Sequence, residues 1–261
     1  MPVTILFIGD IVGKPGRQAL SRELHRLVDR YRADLVIANG ENAAGGFGLT
    51  GEVARELFGH GVHCITSGNH IWDKKEQVAA VLSDERIIRP ANYPAGAPGR
   101  GSLVATTPGG VKVGVLNLEG RVYMKSLECP FRTADRELER LRAETAVLFV
   151  DFHAEATSEK SALGWYLDGR ASAVIGTHTH VQTADERIQP GGTAYLSDAG
   201  MTGSFDSVIG IGKEEAISKF LTQLPVKFEV PKKDIRLNGV ALTIDEQSGR
   251  ALSIERIAVS C

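Results

Sequence analysis

Two histidines separated by one residue are the clearest candidates for chemistry in this chain. His178 and His180 follow the apolar residues 173–175, a run that predicts a short buried strand. Open α/β sheets bind ligands at the carboxyl ends of their strands, and neutral imidazole binds first-row transition metals. Alternate side chains of an extended segment share a face, so both rings are predicted to point into one crevice. Taken alone, the pair also fits a solvated loop.

Four other predicted strands end in side chains that could bind a metal or transfer a proton. They are Asp10 after residues 4–8, Glu41 and Asn42 after residues 35–38, Asn69 and His70 after residues 63–66, and His153 after residues 146–150. A solvated turn explains any one of these endings. The whole set is better explained by one shared site, because, with His178 and His180 included, four of the seven histidines fall at such strand ends.

The types of the candidate ligands indicate which metal they would bind. The set mixes carboxylate, amide and imidazole groups and contains no cysteine. Such ligands fit Mn²⁺, iron or Zn²⁺ at a catalytic site better than a structural zinc. Their number exceeds the need of one ion, whereas two ions ~3.5–4 Å apart, bridged by one carboxylate, would account for it.

The elements that must position these residues are predicted to be alternating strands and helices, followed by antiparallel strands. Helices are predicted at residues 17–31, from 51 to 59 or 61, and at 75–82, 133–143, 158–169 and 214–221. Antiparallel pairs are predicted at 102–106 with 111–116, 187–189 with 193–196, and 239–244 with 251–257. Thr50 is predicted to cap the second helix. Residues 13–17 lack the Walker spacing of a phosphate loop, and residues 197–204 are predicted to form a small-residue loop. This order predicts an α/β fold with two sheets packed between helices.

Composition excludes several classes of function. The 30 basic and 32 acidic residues give no electrostatic footprint for nucleic acid or an anionic membrane. No apolar run reaches transmembrane length and no signal-type segment begins the chain, so no membrane partner is expected. The three cysteines, Cys64, Cys129 and Cys261, match no zinc or redox spacing. These features favour a reduced, cytoplasmic setting.

The ordered set of strand endings resembles the motifs of the calcineurin-like metallophosphoesterases. The motifs are Gly9-Asp10, Gly40-Glu41-Asn42, Gly68-Asn69-His70, the isolated His153 and Gly176-Thr177-His178-Thr179-His180. Residues 39–50, 67–76, 89–94 and 195–205 are similar to one bacterial subgroup, the YmdB-type phosphodiesterases. The usual Asp-x-His is replaced by Asp10-Ile11-Val12, and Glu41 stands for the usual bridging aspartate. Both departures match the subgroup, in which Asn42 would supply the missing ligand.

This resemblance implies a fold and a set of ligands. The fold is a four-layer α/β/β/α metallophosphoesterase sandwich, expected as a single domain over residues 1–261. The cofactor is two divalent or mixed-valence transition-metal ions, iron or manganese. Asp10, Asn42 and His180 would bind one ion, Asn69, His153 and His178 would bind the other, and Glu41 would bridge them. His70 would remain free of metal and act as a general acid.

The resemblance also implies hydrolysis of phosphodiesters, notably cyclic nucleotides, with hydroxide held between two metals as the nucleophile. Only Lys14, Arg17, Lys74, Lys75 and Arg89 lie near the motifs as cations. A singly charged diester needs no dense arginine clamp, so 2′,3′-cyclic nucleotides are expected over monoesters. The neutral overall charge argues against long nucleic acid. The alternative is a metal-dependent, nucleotide-binding regulatory protein with little turnover, which would not need His70 as an acid.

Overall fold

The computed structural model describes residues 2–261, in which two β-sheets are enclosed by helices. The strands are β1 (Pro2–Ile8), β2 (Asp10–Ile11), β3 (Leu35–Asn39), β4 (Cys64–Thr66), β5 (Ser102–Thr106), β6 (Lys112–Glu119), β7 (Leu148–His153), β8 (Ala173–Thr177), β9 (Arg187–Ile188), β10 (Ala194–Leu196), β11 (Met201–Ser204), β12 (Ile235–Asp245) and β13 (Ala251–Ser260). The helices are α1 (Gly13–Tyr31), α2 (Gly51–Gly59), α3 (Val78–Val81), α4 (Pro130–Arg142), α5 (Thr157–Tyr166) and α6 (Lys213–Thr222), with a 3-10 turn at Asn69–Trp72.

Both sheets are mixed, and they differ in where their parallel strands lie. The first sheet has the order β2-β11-β12-β1-β3-β4, with β13 also paired to β12. The second has the order β5-β6-β7-β8-β10-β9. Strands β1, β3 and β4 are mutually parallel, as are β6, β7, β8 and β10. The strands whose ends carry the predicted ligands therefore belong to the parallel part of each sheet. This part is the centre of the second sheet and one side of the first, next to the antiparallel strand β12.

Alternation of side chains along β1 shows how the layers are held together. Ile5 and Phe7 lie in the core between the two sheets, whereas Leu6 and Ile8 lie in a second core beneath α1. Phe7 contacts Phe149 of the opposite sheet, with ring centroids 5.0 Å apart. A third core packs α4 and α5 against the outer face of the second sheet. Three cores separate four layers, which confirms the predicted α/β/β/α sandwich.

Helix α1 begins earlier than predicted, at Gly13 instead of residue 17. Pro15 fits the first turn of a helix, because the backbone N–H that it lacks would have no helical partner there. A Cβ atom on Gly16 would lie 2.3 Å from the carbonyl oxygen of Thr202. Residues 13–17 are therefore the closely packed start of a helix against β11, and the helix start predicted at residue 17 lies too late in the sequence.

Two further segments differ from the prediction. Helix α3 covers only Val78–Val81, because residues 75–77 are exposed and give a longer helix no apolar face to pack. Residues 201–204, predicted as a loop, form β11, which pairs with β2 and β12. Its side chains are all buried, and small residues allow α1 to approach the sheet closely.

The remaining elements agree with the prediction to within a few residues. Thr50 caps α2 by accepting a hydrogen bond from the backbone N–H of Val53 at 3.3 Å. The hairpins β5–β6 and β9–β10 and the long pair β12–β13 form as antiparallel ladders. Across residues 2–261, no helix combines the length and the apolar character that a membrane span requires.

Candidate metal centre

Side chains from both sheets meet around the imidazole of His153, at the end of β7. Its Nε2 atom lies 3.1 Å from Glu41 Oε1, 3.1 Å from Asn69 Oδ1 and 3.0 Å from His178 Nδ1. Two ligand atoms ~2.1 Å from one ion and at right angles around it would stand about 3.0 Å apart. The three distances from His153 Nε2 are therefore those expected between neighbouring ligands of one ion.

A second group of potential ligands shares one carboxylate with the first. Asp10, Glu41 and His180 each offer an atom within 4.8 Å of the others, and Glu41 also belongs to the group with His153 and His178. Asn42 lies beside this second group, with its Nδ2 atom 3.1 Å from His180 Nε2 and 3.0 Å from Glu41 Oε1, and its carbonyl oxygen Oδ1 is the atom that could bind a cation. The carboxylate of Glu41 thus stands between two clusters of ligand atoms.

The chemistry of these groups fits a cation. Asp10 Oδ1 and Asn42 Oδ1 are buried, and neither accepts a hydrogen bond from the residues that the structure describes. A buried oxygen without a partner costs free energy, and a hard cation satisfies both oxygens directly. A Cβ atom on Gly68 would lie 2.4 Å from Glu41 Oε2, so glycine is required for the chain to pass this close to the ligands.

A buried hydrogen-bond relay orients His153. Its Nδ1–H donates to Thr177 Oγ1 at 2.9 Å, and the Thr177 hydroxyl donates to Asp151 Oδ1 at 2.7 Å. Thr66 and Asn39 donate to the other carboxylate oxygen, Asp151 Oδ2, at 2.5 and 3.0 Å. Burial raises the pKa of Asp151 to about 7, despite these hydrogen bonds. The relay leaves the lone pair of His153 Nε2 directed at the cluster, as metal-ligating histidines require.

The backbone at the other two histidines differs from the extended conformation that was predicted. His178 and His180 both have positive φ, +101° and +65°, so the segment is not extended and the alternation argument is wrong. His178 Nε2 lies 3.1 Å from Glu155 Oε2, which leaves Nδ1 for the first group. His180 Nδ1–H donates to the carbonyl oxygen of Ile209 at 2.8 Å, which leaves Nε2 for the second.

A buried ion pair holds the turn between these two histidines. Asp198 Oδ2 accepts hydrogen bonds from the backbone N–H and the hydroxyl of Thr179, at 3.1 and 2.7 Å. Lys160 Nζ neutralises the same oxygen at 2.7 Å. Both side chains of the pair are 2% exposed, so removal of either partner would leave an uncompensated buried charge.

Burial and neighbouring charges shift the pKa values of the residues in the cluster. Burial alone would raise the pKa of Glu41, but the neighbouring His153 and the backbone N–H of His70 lower it to about 2. Burial would lower the pKa of His153, but Glu41 and Asp10 raise it to about 9. Burial and the charge of His153 lower the pKa of His178 to about 3. These pKa values leave Glu41 ionised and His178 neutral, the forms that bind metal, whereas His153 must lose its proton when a metal binds.

His70 belongs to neither group of ligand atoms. Its Nδ1 lies 2.8 Å from Asp73 Oδ2, and its backbone N–H donates to Glu41 Oε2 at 3.1 Å. The ring lies edge-on to Phe47, with centroids 5.0 Å apart. Its side chain is 30% exposed and lines a cavity. His70 differs in this respect from His153, His178 and His180, each of which directs one ring nitrogen at a group of potential ligands.

The cavity next to the ligand clusters has a volume of about 280 Å³ and borders His70, His178 and His180. Glu41, Glu155 and Glu229 line the cavity, and the described lining residues include no lysine or arginine. Its electrostatic character is therefore acidic until a cation binds.

The cations that the sequence places near the motifs do not line this cavity. Arg17 donates to Glu56 Oε2 at 2.8 Å and to the carbonyl oxygen of Ala43. Arg89 is buried and donates to the carbonyl oxygens of Pro90, Ala97, Pro98 and Gly99. Arg17 therefore joins α1 to α2, and Arg89 holds the loop that follows it. Lys14, Lys74 and Lys75 are likewise absent from the lining.

Sequence reasoning missed the residues that support the ligands. Asp151 lies two positions before His153 on β7, and this alternation was a usable signal because it places both on one face. Thr177 immediately precedes His178. For Lys160 and Asp198 there is no local signal, since the pair joins positions 38 residues apart.

Comparisons with known proteins identify a family and relatives that match almost the whole chain. The family described as YmdB-like protein matches residues 6–257. A 2′,3′-cyclic-nucleotide 2′-phosphodiesterase of Bacillus subtilis is 48% identical over 256 residues, which cover 98% of this chain and 97% of the relative. The crystal structure of a hypothetical protein from Thermus thermophilus has a TM-score of 0.92 at 44% identity and covers 99% of both chains. A phosphatase structure from Mycoplasma pneumoniae has a TM-score of 0.93 at 36% identity, covering 100% of this chain and 94% of that one.

Proposed function

The chain belongs to the YmdB-like family, and from this premise we propose that it is a metal-dependent phosphodiesterase acting on cyclic nucleotides. The preferred substrates are 2′,3′-cyclic nucleotides, the class for which the Bacillus subtilis relative is named. The observation that carries the proposal is the convergence of two ligand groups on Glu41, with His70 beside them and in neither group. The cavity bordered by His70, His178 and His180 has room for a small-molecule phosphodiester.

The proposed ligands divide between two ions. Asp10, Asn42 and His180 hold one, Asn69, His153 and His178 hold the other, and Glu41 bridges both. The unpartnered oxygens of Asp10 and Asn42 and the spacing around His153 Nε2 support this division. Carboxylate, amide and imidazole ligands suit iron or manganese. When bound, the two ions would activate water and neutralise charge on the phosphoryl oxygens.

His70 is proposed to protonate the leaving-group oxygen. Asp73 accepts a hydrogen bond from Nδ1 at 2.8 Å and so fixes the ring, which leaves Nε2 to carry the transferred proton. Phe47 packs against the edge of the same ring and limits its rotation. The leaving group of a 2′,3′-cyclic nucleotide is a ribose hydroxyl of high pKa, so its departure needs a proton.

The acidic lining of the cavity favours a diester over a monoester. A phosphate monoester carries a charge of about −1.5 to −2 at pH 7, whereas a diester carries one negative charge. Glu155 and Glu229 line the cavity together with Glu41, and no lysine or arginine among the lining residues offsets them. Repulsion from these carboxylates is therefore greater for the monoester.

Hydrolysis rates across a substrate panel test the proposed function. The Mn²⁺-loaded protein is assayed with 2′,3′-cyclic AMP, 3′,5′-cyclic AMP, 5′-AMP and single-stranded DNA. We expect the highest kcat/KM for 2′,3′-cyclic AMP. Asp10→Asn should abolish turnover, whereas Asp29→Asn, at a position 70% exposed on α1, should not change it. A higher kcat/KM for 5′-AMP would identify a phosphatase, and binding without turnover would identify a regulatory protein.

A further inference from the structure

One wall of the cavity that contains His70 is apolar and aromatic. Phe47 and Phe228 both line it, with ring centroids 6.3 Å apart and ring planes inclined by 35°. Ile209 lines it as well and is 49% exposed. Apolar rings beside a few polar groups are typical of a small-molecule site. The volume of about 280 Å³ lies at the lower end of the ~300–1,000 Å³ of such sites, which suits one nucleoside unit.

The ring of Phe228 is held in place although its segment has no regular structure. Residues 223–234 form neither helix nor strand, yet the carbonyl oxygen of the adjacent Glu229 accepts a hydrogen bond from the backbone N–H of Gly212 at 2.9 Å. Lys219 Nζ lies over the Phe228 ring, 4.8 Å from its centroid. Because Lys219 does not line the cavity, this contact fixes the ring from outside and leaves its cavity side for a ligand.

The backbone at Ile209 is an independent sign that its side chain has a function. Val208 and Ile211 exchange backbone hydrogen bonds of 2.8 and 3.0 Å across the two-residue turn Ile209-Gly210. Both turn residues have positive φ, +48° and +97°, a turn that asparagine followed by glycine forms best. A β-branched residue at positive φ is strained. Any residue could supply the carbonyl oxygen that orients His180, so neither stability nor that contact explains isoleucine.

From these contacts we infer that Phe47, Ile209 and Phe228 form the seat of the nucleobase. The inference rests on the proposed function, because the phosphodiester must lie at the ligand clusters for the base to reach this wall. Every base has a π-face that stacks on an aromatic ring, and the branched side chain of Ile209 covers the remaining apolar edge. The seat therefore selects nucleoside cyclic phosphates over diesters that lack a base.

The test compares substrates with and without a base. For the wild-type protein loaded with Mn²⁺, kcat/KM is measured for 2′,3′-cyclic AMP and for the 2′,3′-cyclic phosphate of methyl riboside, in which a methoxy group replaces the base. We expect a preference for the nucleotide of about 5- to 150-fold, the range that one stacked base supplies. In Phe228→Ala this preference should fall about tenfold. Phe220→Ala is the matched control, since Phe220 is 75% exposed and lies on α6 outside the cavity.

Ile209→Asn separates the seat from the fold. Asparagine adopts positive φ readily, so the melting temperature should rise while the preference for the base falls. The backbone carbonyl remains available to His180, so metal content serves as the check that the site is intact. A variant that gains stability and keeps the full preference for the base would overturn the role of Ile209.

Binding of adenosine 2′-monophosphate, measured by calorimetry, distinguishes failure of the seat from failure of the proposed function. Weaker binding by about tenfold in Phe228→Ala, with Phe220→Ala unchanged, supports the seat even if no diester is hydrolysed. Equal affinity in all three proteins overturns the seat. Equal hydrolysis of the two diesters by the wild-type protein also overturns it, while leaving the phosphodiesterase activity in place.

Discussion

At the scale of single residues, the four histidines of the site differ in what holds each ring. His153 is fixed by the Thr177 hydroxyl, His178 by Glu155 and His180 by a backbone carbonyl. Each of the three thereby directs its other nitrogen into a ligand cluster. His70 is held by Asp73 and faces the cavity. The proposed division between ligands and acid follows from these second contacts.

Replacing His70 tests its assignment as the acid. His70→Ala should keep both ions and the fold, while turnover of 2′,3′-cyclic AMP falls by ~10²–10⁴. The loss should be smaller for an activated aryl ester, whose leaving group needs no proton. Metal content and kcat are measured on the same preparation. His25→Ala, at a side chain 88% exposed on α1, is the control, and loss of metal from His70→Ala would show that His70 is a ligand.

Thr177→Val tests the relay that orients His153. The substitution keeps the shape but leaves His153 Nδ1–H and one oxygen of Asp151 without their partner. We expect the free energy of unfolding to fall by about 1–3 kcal/mol and the affinity for Mn²⁺ to fall by about 10- to 100-fold. Urea unfolding and Mn²⁺ titration measure the two effects. Thr106→Val, on the exposed end of β5, is the control and should change neither. Unaltered Mn²⁺ affinity in Thr177→Val would show that the relay does not contribute to metal binding.

At the scale of elements, the site depends on how closely the chain can pass between strand ends. Gly68 follows β4 with an extended backbone, φ −158°, so its role is steric and not conformational. An added Cβ would lie 2.2 Å from His153 Cδ2 and 2.4 Å from Glu41 Oε2. Real carbon atoms do not approach this closely, so the ligands would have to move.

Gly68→Ala should therefore disrupt the metal centre from a position that supplies no ligand. We expect loss of bound metal, together with a fall of about 1–3 kcal/mol in the free energy of unfolding from overpacking. The matched control is Gly59→Ala at the end of α2, where an added Cβ meets nothing within 4 Å. That variant should unfold with equal or higher free energy, because alanine favours the helix. Full metal content in Gly68→Ala would contradict the close approach.

The ends of the strands were predictable because each shows an apolar run stopped by glycine or a polar residue. Asp10, Glu41, Asn69 and His153 were placed at strand ends by this signal alone. The start of α1 and the strand β11 were not, because small residues pack closely there and resemble loops in the sequence. The positive φ of His178 and His180 depends on long-range partners such as Asp198, which no local pattern shows.

At the scale of the whole molecule, the candidate centre joins the two sheets. Asp10, Glu41, Asn42 and Asn69 follow strands of the first sheet, whereas His153, His178 and His180 come from the second. Because neither sheet carries a complete ligand group, the site forms only when both are packed. This dependence supports the expectation of one domain over residues 1–261, which stays a prediction. Bound metal should accordingly stabilise the packed sandwich.

Metal content per chain tests the central claim, that two ions share Glu41, most directly. Protein purified without chelator and saturated with Mn²⁺ should contain two ions per chain. Asp10→Ala should lose mainly one of them, Glu41→Ala should weaken both, and Glu52→Ala on the exposed face of α2 should retain two. We expect hydrolysis of 2′,3′-cyclic AMP to follow the occupancy of both sites. A content of one ion per chain that persists at saturation, with full activity, would contradict the account.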